Sequence, residues 1–176
     1  MIIVKKYKWA IFLFIITIAI YFYDKPTGTK AFSIFLSNII TMLKILPPTF
    51  VLVGLLDVWT PKETMIKYMG QHSGIKGIAV AFFLGTAAAG PLYAAFPIAA
   101  LLLKKGARLA YVLFFLGVWS STKLPIVLFE IASLGYKFTF LHIGISLPAY
   151  LVSSFFIEKI LSSNSKNEIY RKAVTL

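Results

Sequence analysis

An all-α integral membrane protein is predicted, with four transmembrane helices plus one re-entrant helical hairpin, and three observations predict it. Of 176 residues, 59% are apolar and only 14% are charged. The apolar residues fall in five continuous blocks, without the alternation over about ten residues that a transmembrane barrel strand shows. The basic residues are spread unevenly among the connections between blocks. A soluble domain of this length carries about 25% charged residues and could not hide so much apolar surface in one core. A bilayer absorbs that surface once each backbone polar group is paired inside a helix.

The first block, about 7–23, follows Lys5, Lys6 and Lys8 and ends in Tyr21, Phe22, Tyr23 and Asp24. A signal peptide ends in small residues, whereas an aromatic end is an interface anchor, so this block reads as a retained first helix. The second block, 31–59, contains Pro47 and Pro48 and is expected to break there. A polar connector, 60–74, leads to the third block, 75–103, which is too long for one straight span of about 20 residues. Its centre reads Gly85-Thr-Ala-Ala-Ala-Gly90-Pro91-Leu-Tyr93-Ala-Ala-Phe96-Pro97. Gly90 weakens a helix and Pro91 disfavours helix at the residue before it, so two short helices with a turn are expected. Gly77, Ala81, Gly85 and Ala89 recur every four residues, a small-residue stripe that lets helices approach closely. The fourth block, 107–134, holds Pro125 in its interior, and the fifth covers 138–157. The whole reads as one transmembrane domain, 1–160, followed by a polar tail, 161–176, expected to fray or lie on the surface.

Charge decides between a hairpin and a fifth crossing. If block three crosses once, giving five transmembrane helices, the two sides carry seven and nine basic residues. If it re-enters, Lys5, Lys6, Lys8, Lys62, Lys67, Lys76, Lys104, Lys105, Arg108, Lys159, Lys166, Arg171 and Lys172 share one side. Only Lys25, Lys30 and Lys137 remain opposite. The positive-inside rule favours that second arrangement, with both termini cytoplasmic in the inner membrane. The near balance of the first keeps a dual-topology antiparallel dimer as its alternative.

The net charge of +12 is carried in these short connections, and no nucleic-acid motif accompanies it. With no Cys, disulfides, thiolate metal sites and Cys nucleophiles are excluded, and His72 and His142 lack ligand-spaced partners. No enzymatic constellation and no need for a cofactor emerge. What stands out is polarity inside apolar blocks. Lys44 and Lys123 each lie within about a turn of a proline, and a charge at the bilayer centre costs roughly 3 kcal/mol, so each faces protein or water. The lysines could instead bond carbonyls freed by those prolines. Irregular backbone at 85–97 survives at membrane depth only when protein covers it or it lines a wet cavity. Transporters place such broken helices, with their half-helix N-termini, around anionic groups. Glu130, seven residues after Lys123, reads as a coupling carboxylate, an ion-pair partner or an interface residue; His142 reads as a packing residue.

From about Gly74 to Pro148 the chain carries Gly90-Pro-Leu-Tyr-Ala-Ala-Phe-Pro97, Lys105-Gly-Ala107, Trp119-Ser-Ser-Thr-Lys-Leu-Pro125, Phe129-Glu130 and Leu134-Gly135. These strings resemble the predicted permease superfamily that includes organoarsenical efflux permeases, in its short, half-length bacterial members. The resemblance implies a permease subunit of the cytoplasmic membrane, and Gly90, Pro91, Tyr93, Pro97, Lys123, Pro125 and Glu130 fit its pattern. With the intramembrane lysines and the broken helix added, the expected solute is small and anionic, held by Lys44, Lys123, Gly85, Gly90, Pro91, Tyr93 and Pro97. Larger relatives often carry Cys near the turn; its absence here argues against thiolate-held arsenicals. A half-length unit is too small to enclose a pathway, so the resemblance implies a homodimer or a pairing with a second short permease. The competing reading is a non-transporting subunit that regulates a partner membrane protein.

Overall fold

A computed structural model describes residues 2–87 and 90–174. The described residues form α-helices and one short 3₁₀ turn: α1 (Ile2–Tyr23), α2 (Lys25–Trp59), α3 (Lys62–Met69), α4 (Ile75–Thr86), the turn Leu92–Ala94, α5 (Ala95–Lys104), α6 (Leu109–Ser121), α7 (Leu124–Leu134), α8 (Tyr136–Ile160) and α9 (Ser163–Val174). Among the described residues, three stretches are long and apolar enough to cross a membrane: Lys25–Leu52, Leu109–Leu134 and Tyr136–Ile160. The chain divides into two compact units, Met1–Pro47 and Pro48–Leu176.

In the first unit α1 turns directly into α2. The turn is tight because Gly28 has no side chain: a Cβ there would lie 2.2 Å from the Tyr21 Cα. Beyond the turn the apolar side chains face outward, with Phe12, Phe14, Phe32 and Phe35 all about half exposed. Exposed apolar surface on this scale is what a lipid solvent accommodates. The expected break at Pro47 and Pro48 does not occur, because α2 runs through both. Prolines remove donors to the carbonyls four residues earlier, but helices in lipid tolerate them when other groups satisfy those carbonyls.

The second unit is organised around α6. Tyr111, Val112, Phe115 and Val118 of this helix are essentially inaccessible. Helix α4 lies against it through the small-residue stripe: a Cβ at Gly77 would sit 2.5 Å from Tyr111 Cε2, and one at Gly85 2.7 Å from Val118 Cγ1. Ala81 between them is fully buried; Ala89 lies outside the described residues. Helix α8 approaches α6 at Gly117, where a Cβ would meet the Tyr150 ring at 2.8 Å. Close approach of this kind replaces the hydrophobic drive that lipid cannot supply between helices.

The start of α4 and the end of α5 return to the same place. Arg108 N–H donates to the Met69 carbonyl at 2.7 Å, and Tyr111 Oη donates to the Gly74 carbonyl at 3.1 Å. Glu158 of α8 completes this base. Its carboxylate accepts from Arg108 Nε at 2.8 Å and from the Ala110 N–H at 3.3 Å, so an acid from another helix caps the α6 N-terminus. The ion pair with Glu158 raises the Arg108 pKa, and the guanidinium stacks between Phe155 and Tyr111, 4.8 and 5.6 Å from their ring centres. The polar tail does not fray: α9 docks on α5, with Ala173 buried and Tyr170 Oη donating to the Ala107 carbonyl at 3.0 Å. Every fourth or third residue of α9 (Ile169, Tyr170, Ala173) faces inward, an amphipathic pattern that its many Ser, Asn and Lys residues obscure.

Candidate functional site

Two helix breaks meet in the second unit. The first separates α4 from the 3₁₀ turn and contains Gly90, whose φ of 107° suits a residue without a Cβ, followed by extended Pro91. The second divides the fourth apolar block. Helix α6 ends at Ser121, Thr122 and Lys123 leave helical geometry, and α7 starts at Leu124. Pro125, expected inside a continuous span, instead occupies the first turn of α7, where its missing N–H costs nothing and its fixed φ is already helical.

The breaks are joined through one oxygen. The Gly90 carbonyl accepts from Trp119 Nε1 at 3.3 Å and from Lys123 Nζ at 2.5 Å. Trp119 is held for this by an edge-on contact with Phe115, ring centres 5.5 Å apart. Both lone pairs of that carbonyl are thereby used, while the ammonium spends one of its three donors. At the start of α7, Pro125 has no N–H, and the Ile126 and Val127 N–H groups donate to the Lys123 carbonyl at 2.9 and 3.1 Å, so the Leu124 N–H alone lacks a partner within the helix. Two hydroxyls flank the breaks, Thr86 Oγ1 at the end of α4 and Ser121 Oγ at the end of α6. Each is buried, and neither has a hydrogen-bond partner among the described residues. The crossing therefore gathers an ammonium, two hydroxyls that can donate or accept, and the open carbonyls at the C-terminal ends of α4 and α6. Since α6 has 13 residues, it lies about 20 Å along the helix from the base.

The sequence-predicted residues distribute unequally around this crossing. Gly90, Pro91 and Lys123 build it. Tyr93 lies in the 3₁₀ turn and Pro97 in the first turn of α5, both partly exposed. Gly85 is packed against Val118 and Phe115 one turn before the break. Lys44 is exposed on α2 in the first unit. Trp119, Thr86 and Ser121 were not singled out from sequence; the Ser-Ser-Thr run before Lys123 was the available signal, since hydroxyl residues cluster where helices end.

A second polar contact lies further along α7. Glu130 Oε2 meets His142 Nδ1 of α8 at 2.9 Å, with the side chains 13% and 26% exposed. Both residues are polar members of apolar blocks, and the turn at Gly135 brings them level. Elsewhere, an apolar cavity of about 380 Å³ lies at the base among Met65, Tyr68, Leu84, Ile98 and Lys105, where Lys105 Nζ donates to the Thr60 carbonyl at 2.6 Å. Its lining is mostly apolar, with Thr60, Thr64, Tyr68 and Lys105 as the polar members. The donor chemistry is at the crossing. Among the described residues no three His, Cys, Asp or Glu side chains gather as a metal site.

A family of predicted permeases matches the chain over residues 28–175. The match extends well beyond the motif-bearing stretch and takes in most of α2. No curated protein sequence and no solved structure matches. With a family match across most of its length and helices long and apolar enough to cross a bilayer, this chain belongs to the predicted permeases and is a multi-pass membrane protein.

Proposed function

We propose that the chain is a half-length permease subunit of the cytoplasmic membrane that moves a small anionic solute, working as a dimer. The observation that carries this reading is the crossing itself, where Lys123 and the N-terminal ends of two interrupted helices border the Gly90 turn. An ammonium with two donors to spare, the Leu124 N–H at the start of α7 and two hydroxyls that can donate complement an anion. The Gly90 oxygen, already engaged twice, offers little to a cation. Tyr93 and Pro97 shape the α5 side of the site, and Lys44 keeps the assignment as a second cation on its sequence position alone.

The topology that fits this reading has four spans, with α4 and α5 as a re-entrant hairpin and both termini cytoplasmic. The contacts of Met69 with Arg108 and of Gly74 with Tyr111 support it, since they bring both ends of the hairpin to one level. Dimerisation rests on the half length, since one copy is too small to enclose a pathway.

The test is a thermal-shift screen of the purified protein against small oxoanions and carboxylates, followed by flux of any hit into proteoliposomes. A ligand at 100 times its Kd stabilises by about 2.7 kcal/mol, enough to read as a clear shift. Lys123→Met keeps the stem and removes the charge, and it should abolish both shift and flux. An anion-dependent shift that survives Lys123→Met unchanged would remove the crossing from the mechanism.

A further inference from the structure

We propose that the Glu130–His142 pair is a proton-binding site whose occupancy controls the position of α7, and through it the Lys123–Gly90 contact. The consequence for solute movement rests on the functional reading above; the protonation and movement do not.

Helix α7 is held unusually lightly. None of its residues is buried, and it packs chiefly against α8. It begins at the Thr122–Lys123 break and ends at Gly135, which has φ 84° and open space where a Cβ would be. Among the described residues its side-chain polar attachments are two. Lys123, its N-cap, reaches Gly90, and Glu130, seven residues on, reaches His142. A short apolar helix with a break at each end and two polar pins can turn as a unit when one pin is released.

The chemistry of the second pin supplies the release. With a proton on each ring nitrogen, His142 is an imidazolium paired with the Glu130 carboxylate, and the pair is neutral. Losing the Nε2 proton to water leaves a neutral ring and an uncompensated carboxylate, a net charge of −1 on a half-buried helix face. An unpaired charge in an apolar slab is costly, so the carboxylate moves toward water and takes α7 with it. Among the described residues of the second unit, no other charged side chain is bonded to the Glu130 carboxylate. Helix α7 carries Glu130 as its one titratable residue, and Lys123 precedes it by two turns. On α8, Tyr136 and Lys137 are exposed within two turns of His142, Tyr150 packs on Gly117 of α6, and Glu158 and Lys159 lie at the far end, with Glu158 bonded to Arg108. Helix α6, packed on α8, contributes only Tyr111, which is engaged with Gly74 at the base. The proton-bound state therefore pins α7 to α8 and Lys123 to Gly90, and proton loss frees both.

Because the chain has no Cys, two spin labels can be placed cleanly, at Leu128→Cys on α7 and Val152→Cys on α8, both exposed positions. Distance distributions measured in liposomes at about pH 5.5 and about pH 8.5 bracket the range in which imidazole chemistry operates. Between the two, a longer-distance population should rise by about threefold or more. Glu130→Gln and His142→Gln should each remove the pH response. An unchanged distribution in the doubly labelled parent would overturn the proposal without recourse to any further variant, and so would a pH response that persists in Glu130→Gln. Anion-induced stabilisation with no pH response would defeat this inference alone. A pH response without any anion-induced stabilisation would defeat the functional reading and leave this one standing.

Discussion

Helices α6 and α7 are two halves of one apolar block, and they have opposite surroundings. In α6, Tyr111, Val112, Phe115 and Val118 are sealed inside the second unit, whereas in α7 the side chains of Leu124, Leu128, Phe129 and Leu134 are all more than half exposed. Both are made of Leu, Ile, Val and Phe. Hydropathy responds to removal from water, and protein and lipid achieve that equally well. What separates the halves is the residue between the large ones. Gly117 in α6 admits the Tyr150 ring of α8, and the glycines of α4 admit Tyr111 and Val118, but α7 has no glycine and meets none. Burial in this protein follows small residues more closely than large ones.

The contrast is open to direct challenge. The largest effect is expected at Phe115→Ala, which leaves a cavity in the packed core of α6 and removes the support of Trp119. Unfolding in mixed micelles should show a loss of about 3–5 kcal/mol. A smaller loss, about 1 kcal/mol, is expected for Tyr170→Phe, which deletes the bond from α9 to the Ala107 carbonyl at the entry to α6. Burial raises the Tyr170 pKa above its ordinary value of 10.0, so the folded state favours the neutral phenol. That contribution is complete below the ordinary value and is lost as the pH rises past it. Tyr170→Phe should therefore remove an alkaline destabilisation that the parent shows. The smallest effect belongs to α7, where Leu128→Ala should change stability by no more than about 0.5 kcal/mol. Were Leu128→Ala to cost as much as Phe115→Ala, α7 would be a core helix covered in the assembly, and the comparison would fail.

Much of this could be read from the residues. The five apolar blocks, the interruption at Gly90-Pro91 and the stripe of Gly77, Ala81 and Gly85 all follow from periodicity and backbone chemistry, which act locally. Three features escaped. The break at Thr122–Lys123 was hidden because Pro125 disrupts a helix interior and starts a helix with equal ease, and only tertiary partners choose between these. Continuity of α2 through Pro47 and Pro48 is the same ambiguity resolved the other way. The Glu130–His142 pair joins residues twelve apart across a turn. Its signal was Gly135, five residues after one partner and seven before the other, which folds two polar positions to the same level. Lys123 was marked by its charge, but its partner, a backbone carbonyl, has no sequence signature at all.

The Gly90 carbonyl also has a history during synthesis. Its partner Lys123 is 33 residues further along the chain, and Arg108 waits 50 residues for Glu158. At 5–20 residues per second, α4 and α5 wait roughly two to seven seconds before Lys123 can reach the Gly90 carbonyl, and the base stays open for longer. Two short helices that cannot span unaided are poor candidates for independent insertion. Their placement falls to α6, which brings the stripe's counterpart and Trp119, to the break after it, which brings Lys123, and then to α8, which brings the acid that closes the base. The middle of this protein is secured from its C-terminal side, so a ribosome halted before Glu158 would leave the part that carries the crossing as its least settled region.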